Sequence, residues 1–206
     1  METLSRIVLL THPKEYRRQK TGTGRLAILH LARCEILPGL AFDAHPRVRE
    51  LLLDPANFPV LLYPGPTSTN VAGLAPDGPE GDGRPRGLGG RRLLVFLVDS
   101  TWACSRAVLR GSPGIAALPR LSLRPREKSR WRIKRQPREY FLSTIEAIHE
   151  LLCALEEAGL DSYPDKVRLL RAFEAMQDYQ IERARASLSP RIRPPRLGPI
   201  EIGDRG

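Results

Sequence analysis

The stretch Leu93-Leu94-Val95-Phe96-Leu97-Val98-Asp99-Ser100-Thr101-Trp102 decides the fold class of this chain. Its first six residues are all apolar and include β-branched and aromatic types, a pattern typical of a strand buried on both faces of a parallel sheet. The run ends abruptly on an acid, two hydroxyls and an indole. Because the ligands of open α/β sheets collect outside the carboxyl ends of the strands, this polar terminus is a candidate functional site.

Segments that fit strands alternate along the chain with segments that fit helices. Strands are predicted at 6–10, 34–39, 58–65 and 93–98, and helices at 26–31, 102–109, 143–158 and about 165–186. Residues 48–53 fit either a brief helix or an apolar connector. The last helix is expected to turn six side chains toward the core, namely Val167, Leu170, Phe173, Met176, Tyr179 and Ile181. This order predicts a single α/β domain with a mostly parallel sheet and helices on both faces.

Local signals mark where the predicted elements begin and end. Ser143 and Glu146 fit a capping box at the start of one helix, and Gly159 fits its end. Thr101 is placed to cap the helix that starts at Trp102. Residues 75–92 are rich in Gly, Pro and Arg, which predicts a flexible surface loop. We therefore expect the domain to span residues 1–186 and a disordered Pro- and Arg-rich tail to occupy residues 187–206.

The charge of the chain indicates the class of its partner. The 206 residues carry a net charge of +10, which favours a polyanion, most simply nucleic acid, over a membrane surface. No apolar run approaches the ~20 residues of a membrane-spanning helix, and no signal-peptide layout is present, so we expect a cytoplasmic protein. Cys34, Cys104 and Cys153 are odd in number and widely spaced, which argues against a disulfide framework and a zinc knuckle. They are expected to behave as small buried hydrophobes.

Most of the excess positive charge lies between residues 120 and 138. This segment holds nine basic residues against the single acid Glu127, and it contains the aromatic Trp131. A one-signed run of this kind can be a solvated face, but phosphate contact with an aromatic stacking platform is the favoured interpretation. The predicted RNA-binding residues are Arg120, Arg124, Arg126, Lys128, Arg130, Trp131, Arg132, Lys134, Arg135 and Arg138.

Two further features carry weaker signals. His12 fits either a ligand-facing group or a loop histidine before Pro13. The turn Thr21-Gly22-Thr23-Gly24 precedes a helix, and its backbone N–H groups could bind a phosphate or a carboxylate. A helix-entry turn capped by a threonine explains the same residues, which lack the lysine and the spacing of a P-loop.

Four separated motifs resemble those of the DTW-domain family, and they occur in the family's order. Asp99-Ser100-Thr101-Trp102 resembles its D-x-T-W signature, and Tyr63-Pro64-Gly65 resembles its strand-end tyrosine and proline. The segment Leu10 to Glu15 is similar to the L-x-H-P-x-E motif, and Leu142 to Ala147 is similar to the L-S-T-x-E-A helix start. The resemblance covers residues from about 6 to 180, nearly the whole predicted domain.

The resemblance implies a specific fold and activity. Family members are tRNA-uridine aminocarboxypropyltransferases, which place a 3-amino-3-carboxypropyl group from S-adenosylmethionine on N3 of a uridine and release 5'-methylthioadenosine. Their fold is related to the SPOUT class and has a C-terminal knot. Many relatives carry clustered N-terminal cysteines that resemble a metal site; this chain lacks the cluster, so no metal is predicted. Ser100 stands where glycine is common in the family, which leaves the conformation of that loop open.

The implied chemistry assigns roles to the motif residues. The uridine N3 proton must be removed, and Asp99 is predicted to act as the base, or else to hold the amino group of the transferred chain. Glu146 is accounted for by its place in the capping box. S-adenosylmethionine is predicted to contact Tyr63, Pro64, Gly65, Asp99, Ser100, Thr101, Trp102, Leu142, Ser143 and Thr144. The alternatives are a SPOUT-type RNA methyltransferase and a non-catalytic RNA-binding module.

Overall fold

Six parallel strands form one sheet in the computed structural model, which describes residues 1–18, 22–74, 88–134 and 141–186, without the side chains at positions 18, 102 and 103. The strands are β1 (Arg6–Thr11), β2 (Cys34–Pro38), β3 (Asn57–Leu62), β4 (Thr69–Asn70), β5 (Arg92–Val98) and β6 (Arg120–Ser122). They lie in the order β2-β1-β5-β3-β6-β4, and every pairing is parallel. The predicted parallel sheet is thereby confirmed.

Both faces of the sheet are buried, as the apolar run of β5 predicts. Successive residues of β1 alternate between the two faces: Ile7 and Leu9 join one hydrophobic cluster, and Val8 and Leu10 join the other. In β5, Val95 belongs to the first cluster and its two neighbours to the second. A strand buried on both sides has no polar face to alternate with, which explains its continuous apolar sequence.

Seven helices of the described residues cover these faces. They are α1 (Pro13–Arg18), α2 (Thr23–His30), α3 (Pro46–Leu53), α4 (Trp102–Arg110), α5 (Pro113–Ala116), α6 (Thr144–Glu157) and α7 (Arg168–Ala186). Helices α2, α6 and α7 contribute to the first cluster, which contains Ala27, Leu152 and Phe173. Helices α3, α4 and α5 contribute to the second. Helices on both faces are therefore confirmed.

The direction of the strand connections reverses between β1 and β5. After β1 the chain crosses through α2 to β2 on one side, and after β5 it crosses through α4 and α5 to β6 on the other side. Two neighbouring strands whose connections leave in opposite directions define a topological switch point, where loops separate and ligands bind. Asp99 follows β5 directly, so it lies at this point.

The structure confirms most of the predicted boundaries and corrects several. The predicted capping box is present at Ser143 and Glu146, and Gly159 ends the helix region with a positive φ of 70°. Short elements that sequence did not predict are α1, α5, β4 and β6, and Arg92 belongs to β5 rather than to the preceding loop. Two to six residues are too few to show a periodicity. Of the predicted loop, residues 75–87 lie outside the described residues, as do residues 187–206 of the predicted tail.

The predicted inner face of α7 is confirmed for Phe173 and Met176 and wrong for Val167 and Tyr179. Leu169, Phe173 and Gln177 are buried, whereas Val167 and Tyr179 are 48% and 60% exposed. The helix begins at Arg168, later than the predicted position 165, and its inner face includes the polar Gln177. An apolar-periodicity pattern cannot find a glutamine that is buried for its hydrogen bonds.

Candidate active site

A cavity of about 1110 Å³ opens at the carboxyl edge of the sheet, at the ends of β3, β5 and β6. Strand ends line it with apolar side chains, and the loops and helix starts that follow add polar groups. The described lining residues that matter for its chemistry are Glu15, Thr23, Tyr63, Pro64, Asp99, Ser100, Thr101, Trp131, Lys134, Leu142, Ser143, Thr144 and Gln180.

Asp99 lies on the wall of the cavity between β5 and the start of α6. Its backbone N–H donates to the carbonyl of Leu10, which continues the β1–β5 ladder. The Thr144 hydroxyl donates to Asp99 Oδ1 at 2.5 Å. A Cβ built on Gly24 would overlap Asp99 Oδ2 and lie 3.0 Å from its Cγ. The carboxylate is therefore held by Thr144 on one side and fits only because position 24 has no side chain.

The surroundings of Asp99 favour its neutral form. Burial is the main cause that raises the pKa of its carboxyl, and the negative charge of Glu15 acts in the same direction. The hydrogen bond from Thr144 and the positive charges of Lys134 and Arg25 act in the opposite direction without cancelling the effect of burial. A carboxylate with a raised pKa binds a proton more strongly than an ordinary one, which suits a general base.

Glu15 joins α1 to the loop that carries the D-x-T-W motif. The Thr101 backbone N–H donates to both Glu15 carboxylate oxygens, at 3.0 and 3.2 Å. Thr101 is the N-cap residue of α4, as predicted, but its side chain makes no capping hydrogen bond. The N–H group at this helix start is therefore bound to a side chain of the protein.

Ser100 and His12 connect the same loop to the end of β1. The His12 backbone N–H donates to Ser100 Oγ at 3.1 Å, so the hydroxyl ties the two strand ends together. The Lys14 backbone N–H donates to His12 Nδ1 at 3.1 Å. His12 is not among the described residues that line the cavity. Its local hydrogen bond fits the interpretation as a loop histidine.

The strand end after β3 provides a second wall. Tyr63 and Pro64 line the cavity, and the Tyr63 hydroxyl lies 3.4 Å from Ser105 Oγ. Gly65, also predicted to contact the cofactor, is not among the described lining residues. A Cβ at Gly65 would lie 2.9 Å from Arg120 Nη1, so this position makes room for that guanidinium.

The Gly-rich turn reaches the same cavity. Gly22 and Thr23 are among its lining residues. Gly22 is the N-cap of α2, and Thr23 lies inside the helix, so Thr23 is not the predicted cap. Thr21 lies outside the described residues.

Leu142, Ser143 and Thr144 line the cavity at the start of α6, where the sequence predicts cofactor contact. Glu146 is 4% exposed and is not among the described lining residues. Its carboxylate accepts hydrogen bonds from Ser143 N and Ser143 Oγ at 2.8 and 2.6 Å. It also accepts from Ser129 Oγ and Arg130 N at 2.8 and 2.5 Å. Glu146 thus fastens a second segment to the helix start.

That second segment, residues 123–134, is called the strap. It contains six of the seven predicted RNA-binding cations whose placement is described, and its acidic partners lie largely on α6 and α7. Arg126 pairs with Glu157 of α6, and Arg132 Nη1 lies 2.8 Å from Asp178 of α7. Arg130 pairs with Glu127 and Glu174, both at 3.1 Å. Three of the predicted RNA-binding arginines are therefore neutralised locally, which a count of charges along the sequence does not show.

The ends of the predicted basic segment lie elsewhere. Arg120 belongs to β6, donates to the Ala116 carbonyl at 3.2 Å and lies 5.9 Å from the Tyr63 ring centroid. Arg124 and Lys128 are exposed on the strap. Arg135 and Arg138 lie outside the described residues.

Trp131 faces inward rather than standing free on the surface. Its ring meets Phe173 edge to face, with centroids 4.8 Å apart, and it also lines the cavity. Lys134 Nζ lies 5.9 Å from the Trp131 ring centroid, and Lys134 lines the cavity too. Both predicted RNA contacts therefore line the cavity, where Trp131 is half-buried and Lys134 is exposed.

Sequence reasoning missed several of the lining residues. Glu15, Gln180 and the strand-end leucines Leu62, Leu97 and Leu121 all line the cavity. The strand-end residues follow from the parallel order, since the carboxyl ends of parallel strands share one edge. Nothing in the sequence around Gln180 indicates that it lines a cavity, because its position there depends on how α7 packs. The side chain of Trp102, which begins α4, lies outside what is described.

Cys34 and the possible metal ligands of the described residues are further candidates for reactive groups. Burial raises the pKa of Cys34 to about 12, and the charges of Glu35 and Asp99 act in the same direction, so its thiol stays protonated at neutral pH. Among the described residues no three His, Cys, Asp or Glu side chains are grouped to hold a metal ion. Within the same ranges no helix is long and apolar enough to cross a membrane.

Comparison with known proteins gives the family of this chain. It is 29% identical over 182 residues to tRNA-uridine aminocarboxypropyltransferase 2 of Drosophila melanogaster, which covers 86% of this chain. The chain spans 65% of the length of that relative. No solved structure matches the chain. Residues 1–181 match the DTW domain. Since this match extends over most of the sequence and includes the four motifs, the chain belongs to the DTW-domain family.

Proposed function

We propose that this protein transfers a 3-amino-3-carboxypropyl group from S-adenosylmethionine to N3 of a uridine in tRNA, releasing 5'-methylthioadenosine. The name of the Drosophila relative supports the reaction class. The observation that carries the proposal is the cavity at the switch point, with Asp99 and Thr144 on its wall. We include in the proposal a fold related to the SPOUT class, with a C-terminal knot, and a domain that ends near residue 186.

The charges of the cavity fit the donor. Among its described lining residues, three are charged: Glu15 and Asp99 carry negative charge and Lys134 carries positive charge. S-adenosylmethionine has two cationic groups, the sulfonium and the ammonium, and one carboxylate. In their charged forms, the two acids and the lysine complement the two cationic groups and the carboxylate of the donor.

The size and apolar walls of the cavity also fit. Its volume of about 1110 Å³ exceeds what one nucleoside-sized ligand needs, since pockets of roughly 300–1,000 Å³ hold drug-sized molecules. Leu62, Leu97 and Leu121 provide an apolar surface for an adenine ring at the ends of three strands. The remaining room suits a base that has been turned out of the RNA, as an enzyme acting on a base atom requires.

The protein groups divide the work of the reaction. The bound donor would supply an electrophilic carbon with a neutral leaving group. Asp99, which has a raised pKa and a fixed orientation, accepts the uridine N3 proton. Its second possible role, to hold the amino group of the transferred chain, uses the same carboxylate. Thr144 orients it, and the start of α6 offers a positive helix end to a carboxylate.

The proposed tRNA contacts combine phosphate binding and a base pocket. Arg124 and Lys128 are exposed on the strap beside the cavity. Arg126, Arg130 and Arg132, which pair with acids of α6 and α7, would exchange an acidic partner for a phosphate. We therefore expect affinity for tRNA to come from several weak contacts around the cavity mouth, with selectivity from the extruded uridine.

The by-product of the reaction tests the proposal. The purified chain is incubated with S-adenosylmethionine and unmodified tRNA, and the released nucleoside is identified by liquid chromatography and mass spectrometry. We expect 5'-methylthioadenosine; S-adenosylhomocysteine would instead show a methyltransferase. Failure to bind S-adenosylmethionine in calorimetry would favour a non-catalytic RNA-binding module. Nucleoside analysis of tRNA from cells with and without the gene identifies the modified uridine.

A further inference from the structure

We propose that Lys134 is a further catalytic residue of the transfer, which places its ammonium against the uracil imide as that group loses its N3 proton. The inference rests on the proposed function and assigns the target base to the part of the cavity between Trp131 and Asp99. It also gives Lys134 a role different from that of the other basic residues of the strap.

The first argument is the contrast between Lys134 and its neighbours. Arg126, Arg130 and Arg132 each form an ion pair with a carboxylate. Among the described residues Lys134 has no ion pair, and its partner is the face of the Trp131 ring, at 5.9 Å. A cation–π contact fixes a position without neutralising the charge, so the ammonium stays available to an anion.

The second argument is that the strap is anchored on either side of Trp131. The Arg132 backbone N–H donates to Gln177 Oε1 at 2.6 Å, and Gln177 Nε2 donates to the Arg130 carbonyl at 3.1 Å. Glu146 accepts from the Arg130 backbone N–H. Gln177 is fully buried, and its two hydrogen-bond partners, Arg130 and Arg132, are not among the described residues that line the cavity. Gln177 and Glu146 therefore fix the backbone of the strap from which Trp131 and Lys134 project.

The third argument is the relation of Lys134 to Asp99. Both side chains line the same cavity, and the positive charge of Lys134 acts on the Asp99 carboxylate. Glu15 and Arg25 are the other charged groups that act on Asp99, but Arg25 stacks on the Tyr16 ring and donates to the Tyr16 carbonyl. Lys134 is therefore the cation placed to meet a charge that develops beside Asp99.

The chemistry requires such a cation. When the uracil N3–H bond breaks, its proton goes to Asp99 and its electron pair stays on the imide, whose charge spreads to the two carbonyl oxygens. That pair then forms the new N3–carbon bond, and the carbon–sulfur pair leaves with sulfur, which becomes the neutral thioether of methylthioadenosine. A positive charge beside the imide lowers the energy of this developing anion.

Three variants of the full chain test the proposal. Lys134→Gln removes the charge, and Lys134→Arg keeps it. The control is Lys166→Gln, which removes the charge of an exposed lysine that pairs with Glu156 and does not line the cavity. Single-turnover rates are measured at saturating S-adenosylmethionine and tRNA, together with tRNA affinity at several salt concentrations. We expect Lys134→Gln to slow the transfer about 10²–10³-fold, as loss of one oxyanion-type contact does, with unchanged tRNA affinity. Lys134→Arg should recover part of the rate, and Lys166→Gln should match the wild type.

Two results would overturn the assignment. A Lys134→Gln variant as fast as the wild type excludes a catalytic role. Weaker tRNA binding with a salt slope reduced by about one, and a normal rate at saturation, makes Lys134 an ordinary phosphate contact. A wild-type chain that releases no methylthioadenosine would overturn the proposed function as well, so the two failures are distinguishable.

Discussion

Two carboxylates lie near the start of α6, those of Asp99 and Glu146, and they differ in how many hydrogen bonds they accept and in whether they face the cavity. Glu146 is 4% exposed and accepts four hydrogen bonds, from Ser143, Ser129 and Arg130. Asp99 faces the cavity, and among the described residues its side chain accepts one hydrogen bond, from Thr144. The Glu146 carboxylate, whose oxygens already accept four hydrogen bonds, stabilises the fold. The Asp99 carboxylate, which can accept further hydrogen bonds and has a raised pKa, is available to a ligand or a proton.

Asp99→Asn should give the largest effect on activity. The amide keeps the shape of the side chain and can still accept from Thr144, but it cannot take a proton. We expect the transfer rate to fall about 10²–10⁴-fold, the usual contribution of a general base. Single-turnover kinetics on a variant shown by circular dichroism to be folded give the answer, and near-normal activity would remove Asp99 from proton transfer.

The same substitution should stabilise the fold at neutral pH. Because burial raises the pKa of Asp99 above its ordinary value of 3.8, the native state binds this proton more tightly than the unfolded chain does. The stability contributed by the group is thus fully present below about pH 3.8 and is lost as pH rises through the native pKa. We expect Asp99→Asn to unfold at a higher temperature than the wild type at pH 7 and to lose this advantage at low pH. An advantage that grows on acidification would contradict the assignment.

Glu146→Gln should cost the most stability. In glutamine one of the two carboxylate oxygens becomes an NH₂ group, which cannot accept a hydrogen bond. At least one of the groups that donate to Glu146, such as the backbone N–H of Arg130 or Ser143, therefore loses its partner. We expect the free energy of unfolding to fall by about 2–4 kcal/mol. Urea denaturation measures it, with Glu182→Gln on the exposed side of α7 as the control. A loss no larger than that of the control would show that Glu146 does not fasten the strap.

Gly24→Ala tests how tightly Asp99 is enclosed. The new methyl group would overlap Asp99 Oδ2 and approach Leu9 Cδ1 to 3.0 Å, so the carboxylate must move away from Thr144. We expect a loss of about 1–3 kcal/mol in the free energy of unfolding, typical of overpacking, together with slower transfer. Gly73→Ala is the matched control, since its Cβ would have no heavy atom within 4 Å. Equal behaviour of the two variants would show that the contact with Asp99 imposes no constraint.

The difference between the two carboxylates was only partly predictable from sequence. Asp99 follows a buried strand, and the rule that parallel sheets bind ligands at their carboxyl edge is sufficient to single it out. Glu146 fits a capping box, which the spacing from Ser143 predicts. Its bonds to Ser129 and Arg130 are not predictable, because they depend on the path of an irregular segment. Gln177 shows the same limit: a buried glutamine has no place in an apolar pattern.

The strap shows why a run of charge is ambiguous. The sequence between 120 and 138 predicts a surface for phosphate, and Arg124 and Lys128 remain exposed there. The acids that pair with Arg126, Arg130 and Arg132 come largely from α6 and α7. The most distant pair, Arg132 and Asp178, is 46 positions apart in the sequence. Charge counted within one segment misses these partners. The structure therefore divides the segment into anchoring residues, cavity residues and exposed cations.

The smallest effect is expected for the exposed pair of Arg126 and Glu157. Both side chains are about half exposed, at 57% and 49%, so water and salt screen their attraction, and ordering two long side chains opposes it. A double-mutant cycle with Arg126→Ala and Glu157→Ala should give a coupling energy of about 0.2–1 kcal/mol in urea denaturation at low salt, and less at high salt. Glu146 fastens the same strap with buried hydrogen bonds, which salt screens little. A coupling energy as large as the loss of stability in Glu146→Gln would contradict this expectation. It would show that the exposed ion pair holds the strap at least as strongly as the buried carboxylate of Glu146 does.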